Sequence, residues 1–517
     1  MKTFKEILLV LSLFLFIGSF ESEANEASRQ ENSGQLGVFS SPKREFRGAW
    51  IQCVNGQFQG MGTQAMQADL TNHLDVLQRD GINVIIFQVR PECDALYNSP
   101  YEPWSKFLTG VQGQAPNPYW DPLEWMVREC HKRGMELHAW INPYRAKTKT
   151  TTVLADSHIA KRAPQLAFEY DDLLILDPGI PENRVYICNI VKDIVSHYDV
   201  DGLHIDDYFY PYPVAGLEIP DQATFQKYSR GFTNIRDWRR DNVNLFIKEL
   251  GEAVHKTKPW VKFGVSPFGI YRNKKEDPDG SNTNGLTNYD GLYADVLLWV
   301  KNGWVDYNVP QIYWQIGHPT ADYKELITWW NSHAPNRPLI IGEDVERTVK
   351  YADLSNPNMN QQYAKMQLER SLPNVQGSCQ WYSRVVVNDL GQYGTNLRNV
   401  YFKTPSLQPE MKWLSKKAPK APRKLKVIWM EDDGLVLFWT APKASKDWAT
   451  RATEYLVYKF EKGEKIDVTN FSHLVGKTTN TFWRLPYKDG TKKHVYVVTA
   501  LNRIHNESQP AKKVVKY

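Results

Sequence analysis

The chain has 517 residues, 42% of them apolar, and a formal net charge of +5. That length accommodates two or three domains with full cores, and its dispersed Lys and Arg form no clustered basic face of the kind nucleic acid requires, so no nucleic-acid partner is expected. The longest basic cluster, 412–426, sits among prolines and reads as a linker.

Lys2 and Lys5 precede an apolar run at 7–17, and Ser22-Glu23-Ala24 supplies a small-x-small cleavage site. The run is too short to cross a bilayer, so residues 1–24 read as a signal peptide. No Cys follows the run to carry a lipid anchor. Residues 25–43, rich in Glu, Ser and Gly, read as a polar tether. The expectation is an exported protein, periplasmic or secreted, with no transmembrane segment in the mature chain.

From residue 44 strands alternate with amphipathic helices. Strands are predicted at 47–52, 83–89, 136–141, 202–206, 262–266, 305–312, 339–342 and 377–381. Helices are predicted at 63–80, 122–133, 181–198, 243–256, 289–302, 321–332 and 359–372; Leu70, Leu74 and Leu77 recur at helical spacing, and Gly81 follows as a stop. Eight such strands over 44–411 match a (β/α)8 TIM barrel. An open doubly wound sheet is the alternative, but no glycine-rich phosphate loop follows the first strand. After a Lys/Pro linker at 412–423, residues 424–517 lose helical periodicity. Short alternating strands suggest a small immunoglobulin-like β-sandwich. No aromatic row is legible there, so a spacer or docking role is expected.

Five cysteines fit no zinc spacing and read as free buried thiols, although Cys53 and Cys93 both follow predicted strands. His138 and His204 read as hydrogen-bonded interior residues rather than metal ligands. No metal and no cofactor are expected.

A barrel of this kind carries its site at the C-terminal strand ends. The fourth strand runs Gly202-Leu203-His204-Ile205 into Asp206-Asp207-Tyr208. Paired carboxylates beside aromatic rings are what glycoside hydrolysis needs. Side chains alternate along a strand, so His204 and Asp206 should face the barrel and Leu203 and Ile205 the helices. Asp206 is then the main candidate carboxylate, and Asp207 is either its neighbour in the site or a turn cap. Asp94, ending the second strand, and Glu343, ending the seventh, are the candidate partners. Arg90, Asn142, Arg145, His204, Arg272 and Gln311 are candidate sugar-positioning groups, with Arg90 alternatively an internal ion pair. Trp140, Tyr144, Tyr208, Tyr210, Tyr313, Trp314 and Trp381 are candidate stacking surfaces, each alternatively packing.

The segments Phe46-Arg47-Gly48-Ala49-Trp50, Phe87-Gln88-Val89-Arg90-Pro91 with Asp94-Ala95, His138-Ala139-Trp140-Ile141-Asn142-Pro143-Tyr144-Arg145 and Asp201-Gly202-Leu203-His204-Ile205-Asp206-Asp207 carry a family resemblance. So do Ser266-Pro267-Phe268-Gly269-Ile270-Tyr271-Arg272, Tyr293-Ala294-Asp295 with Gly303-Trp304, and Pro310-Gln311-Ile312-Tyr313-Trp314. Together they resemble the glycosyl-hydrolase-like family distantly related to family-ten glycosidases, formerly a domain of unknown function. Trp439 and the stretch from Tyr496 resemble a fibronectin type III module. The resemblance implies an exported bacterial barrel enzyme acting on glycan, with peptidoglycan strands as substrate. In that family a small pair precedes the second-strand aspartate; here the pair is Glu92-Cys93, which makes Glu92 a poor catalytic candidate and favours Asp94.

The leading expectation is therefore a glycoside hydrolase using paired carboxylates on cell-wall glycan. A non-catalytic glycan-binding scaffold and a hydrolase of dietary or host polysaccharide are the competing readings.

Overall fold

The computed structural model describes residues 41–334, 336–432, 434–486 and 492–516. The expected signal peptide, 1–24, and nearly all of the expected tether lie outside the described residues.

Three strands open the domain: β1 (Phe46–Ile51), β2 (Val84–Arg90) and β3 (Glu136–Ile141). A small antiparallel insertion follows, made of β4 (Arg145–Lys147), β5 (Ala167–Tyr170) and β6 (Leu173–Leu176). The parallel strands resume as β7 (Gly202–Ile205), β8 (Lys262–Val265), β9 (Tyr307–Asn308), β10 (Leu339–Asp344) and β11 (Val375–Trp381). Together the eight parallel strands form a closed barrel, β11 pairing back onto β1. Helices such as Thr63–Arg79, Pro181–His197 and Ile235–Thr257 wrap it.

Strand alternation sorts the residues into two cores. Leu203, Ile205, Phe87, Ala139 and Ile341 pack outward against the helices. Phe46, Trp50, Val84, Ile86, Trp140, Tyr307, Ile340 and Cys379 fill the interior. Two glycines make room for interior rings. A Cβ on Gly264 would stand 1.9 Å from the Tyr307 ring, and one on Gly202 would stand 2.6 Å from that of His138. Tyr307 then bridges the centre, its hydroxyl 2.7 Å from His138 Nδ1 and 3.0 Å from His204 Nδ1.

The barrel's end and the first residues of the expected linker contact the barrel. Met411 plugs the interior core, and Trp413 donates to Asp306 at 2.6 Å beneath the Arg337 guanidinium. Beyond it lie β12 (Arg423–Met430), β13 (Gly434–Thr440), β14 (Glu454–Glu461), β15 (Leu474–Thr478), β16 (Phe482–Arg484), β17 (Lys493–Leu501) and β18 (Ala511–Lys516). They form two antiparallel sheets, β12-β13-β16 and β15-β14-β17-β18. These sheets seat on the N-terminal end of the barrel: Arg503 bridges Asp199 at 3.0 Å and Asp201 at 2.9 Å, just before β7. No helix among the described residues is long and apolar enough to cross a membrane. All five cysteines are free and buried.

Candidate active site

The C-terminal strand ends bring Asp206 and Asp207 to the open end of the barrel, 4% and 2% exposed. Asp206 faces inward, in line with strand alternation. Its Oδ2 accepts from Trp140 Nε1 at 3.0 Å, and Asn142 Nδ2 lies 3.2 Å from both oxygens. The Tyr208 amide adds a longer contact of 3.5 Å. Burial raises the Asp206 pKa, while the Arg145 charge and these donors oppose the rise. These neighbours orient Asp206 and offset part of the rise, which burial still dominates.

Asp207 has a different environment. Tyr212 donates its hydroxyl to Oδ2, and Gln311 is a second hydrogen-bond partner. Burial first, and then the negative charge of Asp206, push its carboxyl up to about 7. Burial thus raises both carboxyls, and Asp207, with the Asp206 charge beside it, is the one poised to hold a proton near neutrality, which suits a proton donor.

Aromatic rings enclose the pair. Trp381 lies 6.1 Å from Trp50, 6.2 Å from Trp140 and 6.3 Å from Tyr313, nearly parallel to the last. The Trp381–Tyr382 peptide is cis. Tyr208 is 40% exposed, with the Arg145 guanidinium 5.2 Å from its ring centroid. Gln311 donates to the Ser266 carbonyl at 2.8 Å. Trp314 packs edge-on against Phe268 at the rim. Beside Trp381 a cavity of about 520 Å3 opens among Gln52, Asn55, Gln57, Met61, Tyr382 and Arg384.

Several expected site residues lie elsewhere. Glu343 points behind β10, because Ile340 and Gly342 take the inward positions. It pairs with Lys365 at 2.9 Å and accepts from Tyr323, so it belongs to the helix layer. Asp94 is fully buried in its own loop, accepting from the Glu92 amide at 3.1 Å and Gln112 Nε2 at 3.0 Å. Burial and then Glu92 raise its pKa to about 6. Arg90 is locked to Glu102 through contacts of 2.7 and 2.8 Å and donates to the carbonyls of Asn142 and Pro143. It braces the rim and presents nothing to a ligand.

Tyr144 and Tyr210 turn toward the helices, where Tyr144 packs on Phe246 and Tyr210 accepts from Asn242. Once the chain leaves the strand, alternation no longer dictates direction. His204 is fully buried below the floor, bonded to Ser266 Oγ at 2.9 Å and to Tyr307, and burial lowers its pKa well below the usual imidazole range. Arg272 is tied to Asp277 and Asp290. Three contributors were missed from sequence: Tyr212, Glu102 and Trp50. Tyr212 lies five residues past Asp207 in the same aromatic run, a proximity that was a usable signal. Trp50 ends the first strand and faces inward. Nothing in the spacing pointed to Glu102.

Comparison with known proteins follows the same lines. Residues 45–360 match the family described as glycosyl hydrolase-like 10. The chain is 39% identical over 488 residues to glycosyl hydrolase YngK of Bacillus subtilis (strain 168), covering 92% of this chain and 94% of that one. It is 38% identical over 319 residues to glycosyl hydrolase DigH of Escherichia coli (strain K12), covering 60% and 72% respectively. Among solved structures, the PgaB glycoside hydrolase domain from Bordetella bronchiseptica aligns with 70% of this chain and 100% of its own, at 11% identity and a TM-score of 0.45.

Proposed function

The chain belongs to the glycosyl hydrolase-like 10 family and is a glycoside hydrolase, and on that premise we propose that it cleaves the glycan strands of bacterial cell-wall peptidoglycan. One observation carries the mechanistic part: two successive buried carboxylates, both with a pKa raised by burial, that of Asp207 to about 7, next to a group of aromatic rings. Asp207, with its carboxyl at about 7, is the proton donor to the leaving oxygen. Asp206, held by Trp140 and Asn142, is its partner in the catalytic pair. Trp381, Tyr313 and Tyr208 stack on sugar rings, and the cavity beside Trp381 gives room for a neighbouring sugar unit.

The signal-peptide character of residues 1–24 supports export, and export supports a wall substrate over an intracellular one. The strand orders β12-β13-β16 and β15-β14-β17-β18 support a fibronectin type III-like sandwich for 424–517, with a spacer or docking role.

The test is release of new reducing ends from purified peptidoglycan and from peptide-stripped glycan strands, alongside a panel of dietary and host polysaccharides. Release from the wall substrates that disappears in Asp206→Asn is the expected result. Saturable retention without new ends would favour a binding scaffold, and activity confined to the panel would move the substrate away from the wall.

A further inference from the structure

Asp206 and Asp207 are successive residues at one strand end, so their Cα atoms stand about 3.8 Å apart and neither carboxylate comes from a strand opposite the other. Direct mechanisms need a different layout, with a nucleophile or a water-activating base facing the acid across the bond, at about 5–5.5 or 6.5–9.5 Å. Four other carboxylates near this end of the barrel already have partners. Asp94 is bonded within its loop. Glu92 pairs with Lys106 at 2.7 Å and accepts from Thr148. Glu343 lies behind β10 with Lys365. Asp344 caps the helix Val345–Lys350 through the Arg347 amide at 2.9 Å.

Asp206 itself is held as an orienting group. Both of its oxygens already accept from Trp140 or Asn142, which fixes the carboxylate in one plane. Beside it, through Trp140, an aromatic cup gathers around Trp381, whose ring centroid lies 6.1–6.3 Å from those of Trp50, Trp140 and Tyr313. The Tyr313 hydroxyl has no hydrogen-bond partner among the described residues and lies in the field of Asp207. An anionic acceptor, an apolar cup and an unengaged hydroxyl are the complement of an acetamido group: N–H, methyl and carbonyl.

We propose that this enzyme acts on 2-acetamido sugars by neighbouring-group participation, the substrate's own acetamido oxygen serving as the nucleophile while Asp206 orients its N–H. This rests on the assignment of Asp206 and Asp207 as the catalytic pair. In the first step the acetamido oxygen bonds to C1 as the C1–O glycosidic bond breaks, and Asp207 gives its proton to the leaving oxygen. The product is a cyclic oxazolinium ion, whose N–H is held by the Asp206 carboxylate. In the second step water adds to C1 and gives a proton to Asp207 as the ring C1–O bond opens. The acetamide and the protonated Asp207 are restored. Net consumption is one water per bond, and two displacements at C1 retain its configuration.

The experiment has two arms. In the first, calorimetry measures binding of N-acetylglucosamine-thiazoline, a stable mimic of the oxazolinium ring, to the full-length protein. Binding is expected, and Asp206→Asn should weaken it by about ten- to a hundredfold, the size of a lost charge-assisted hydrogen bond. No binding, or equal binding by the variant with its fold intact by circular dichroism, overturns the proposal. In the second arm, N-acetylated and N-deacetylated glycan strands are compared, with the anomer of the new end read by NMR. Retention is expected, together with a loss of at least about a hundredfold on deacetylated strands, because the intramolecular nucleophile is gone. Inversion, or equal rates, overturns it. Thiazoline binding without cleavage of any wall strand would instead sink the wall-substrate reading and leave this inference standing.

Discussion

The indole N–H of Trp140 meets Asp206 Oδ2 at 3.0 Å, across the seam between β3 and β7. A donor on one strand thereby fixes the carboxylate at the end of its neighbour. Trp140→Phe keeps most of the ring and removes the donor. The expected outcome is a kcat lowered about ten- to a hundredfold with little change in KM, since a hydrogen bond to a charged group is worth about 1.5–3 kcal/mol. Steady-state reducing-end assays check this, with thermal unfolding as the control for folding.

Asp207 sets the pH dependence. Its carboxyl, at about 7, keeps its proton below that pH and loses it above, so kcat/KM should fall as pH rises through about 7. The Tyr212 hydroxyl bonds to the ionised form and holds that pKa down. Tyr212→Phe should therefore move the alkaline limb to higher pH; movement to lower pH would contradict the assignment. Stability carries the same sign. Between about 3.9, the unfolded value, and about 7, the folded state binds a proton the unfolded state has released, so this group's contribution falls as pH rises. Asp207→Asn should flatten that slope in urea melts.

Glu343 separates structure from chemistry. Replacing it with Gln leaves Lys365 buried without its counter-charge, and breaking such a pair costs about 3–5 kcal/mol. The melting temperature should drop clearly, while kcat of the folded fraction stays within about twofold. A large kcat loss at preserved stability would return Glu343 to the chemistry.

Trp381 touches three other rings of the site. Trp381→Ala removes a stacking face worth roughly 1.5–3 kcal/mol of burial, so KM for glycan strands should rise about ten- to a hundredfold. Short substrates that do not reach this ring should lose less.

Arg503→Ala removes the bridge to Asp199 and Asp201. The two carboxylates lie before β7 and the chemistry lies after it. Limited proteolysis near 412–423 should quicken, with reducing-end release unchanged.

Much of the barrel was legible, because buried parallel strands announce themselves as short apolar runs between amphipathic helices. The exceptions have local causes. The strand predicted at 305–312 pairs only as Tyr307–Asn308, since Pro310 has no N–H to donate and the ladder survives beyond it as single bridges at Gln311. The helix predicted at 289–302 breaks where Tyr293 adopts φ 57° and Asp295 caps a new helix. The helix Ile235–Thr257 begins two turns before its predicted start, because Arg236, Asp237, Arg240 and Asp241 mask the apolar period around Trp238.

In the site, alternation oriented His204 and Asp206 correctly because Leu203 and Ile205 made the two faces of β7 different. It could not orient Glu343, since Leu339, Ile340 and Ile341 are apolar on both faces of β10. Beyond the strand ends, at Tyr144 and Tyr210, direction is set by tertiary packing that no local pattern encodes.

The C-terminal sheets grip the barrel at the end away from the carboxylates, and Met411 and Trp413 rivet the connection. The protein is thus built like a blade set in a haft. The haft leaves the cutting edge clear. Exchanging the terminal module should leave the enzyme's choice of bond untouched.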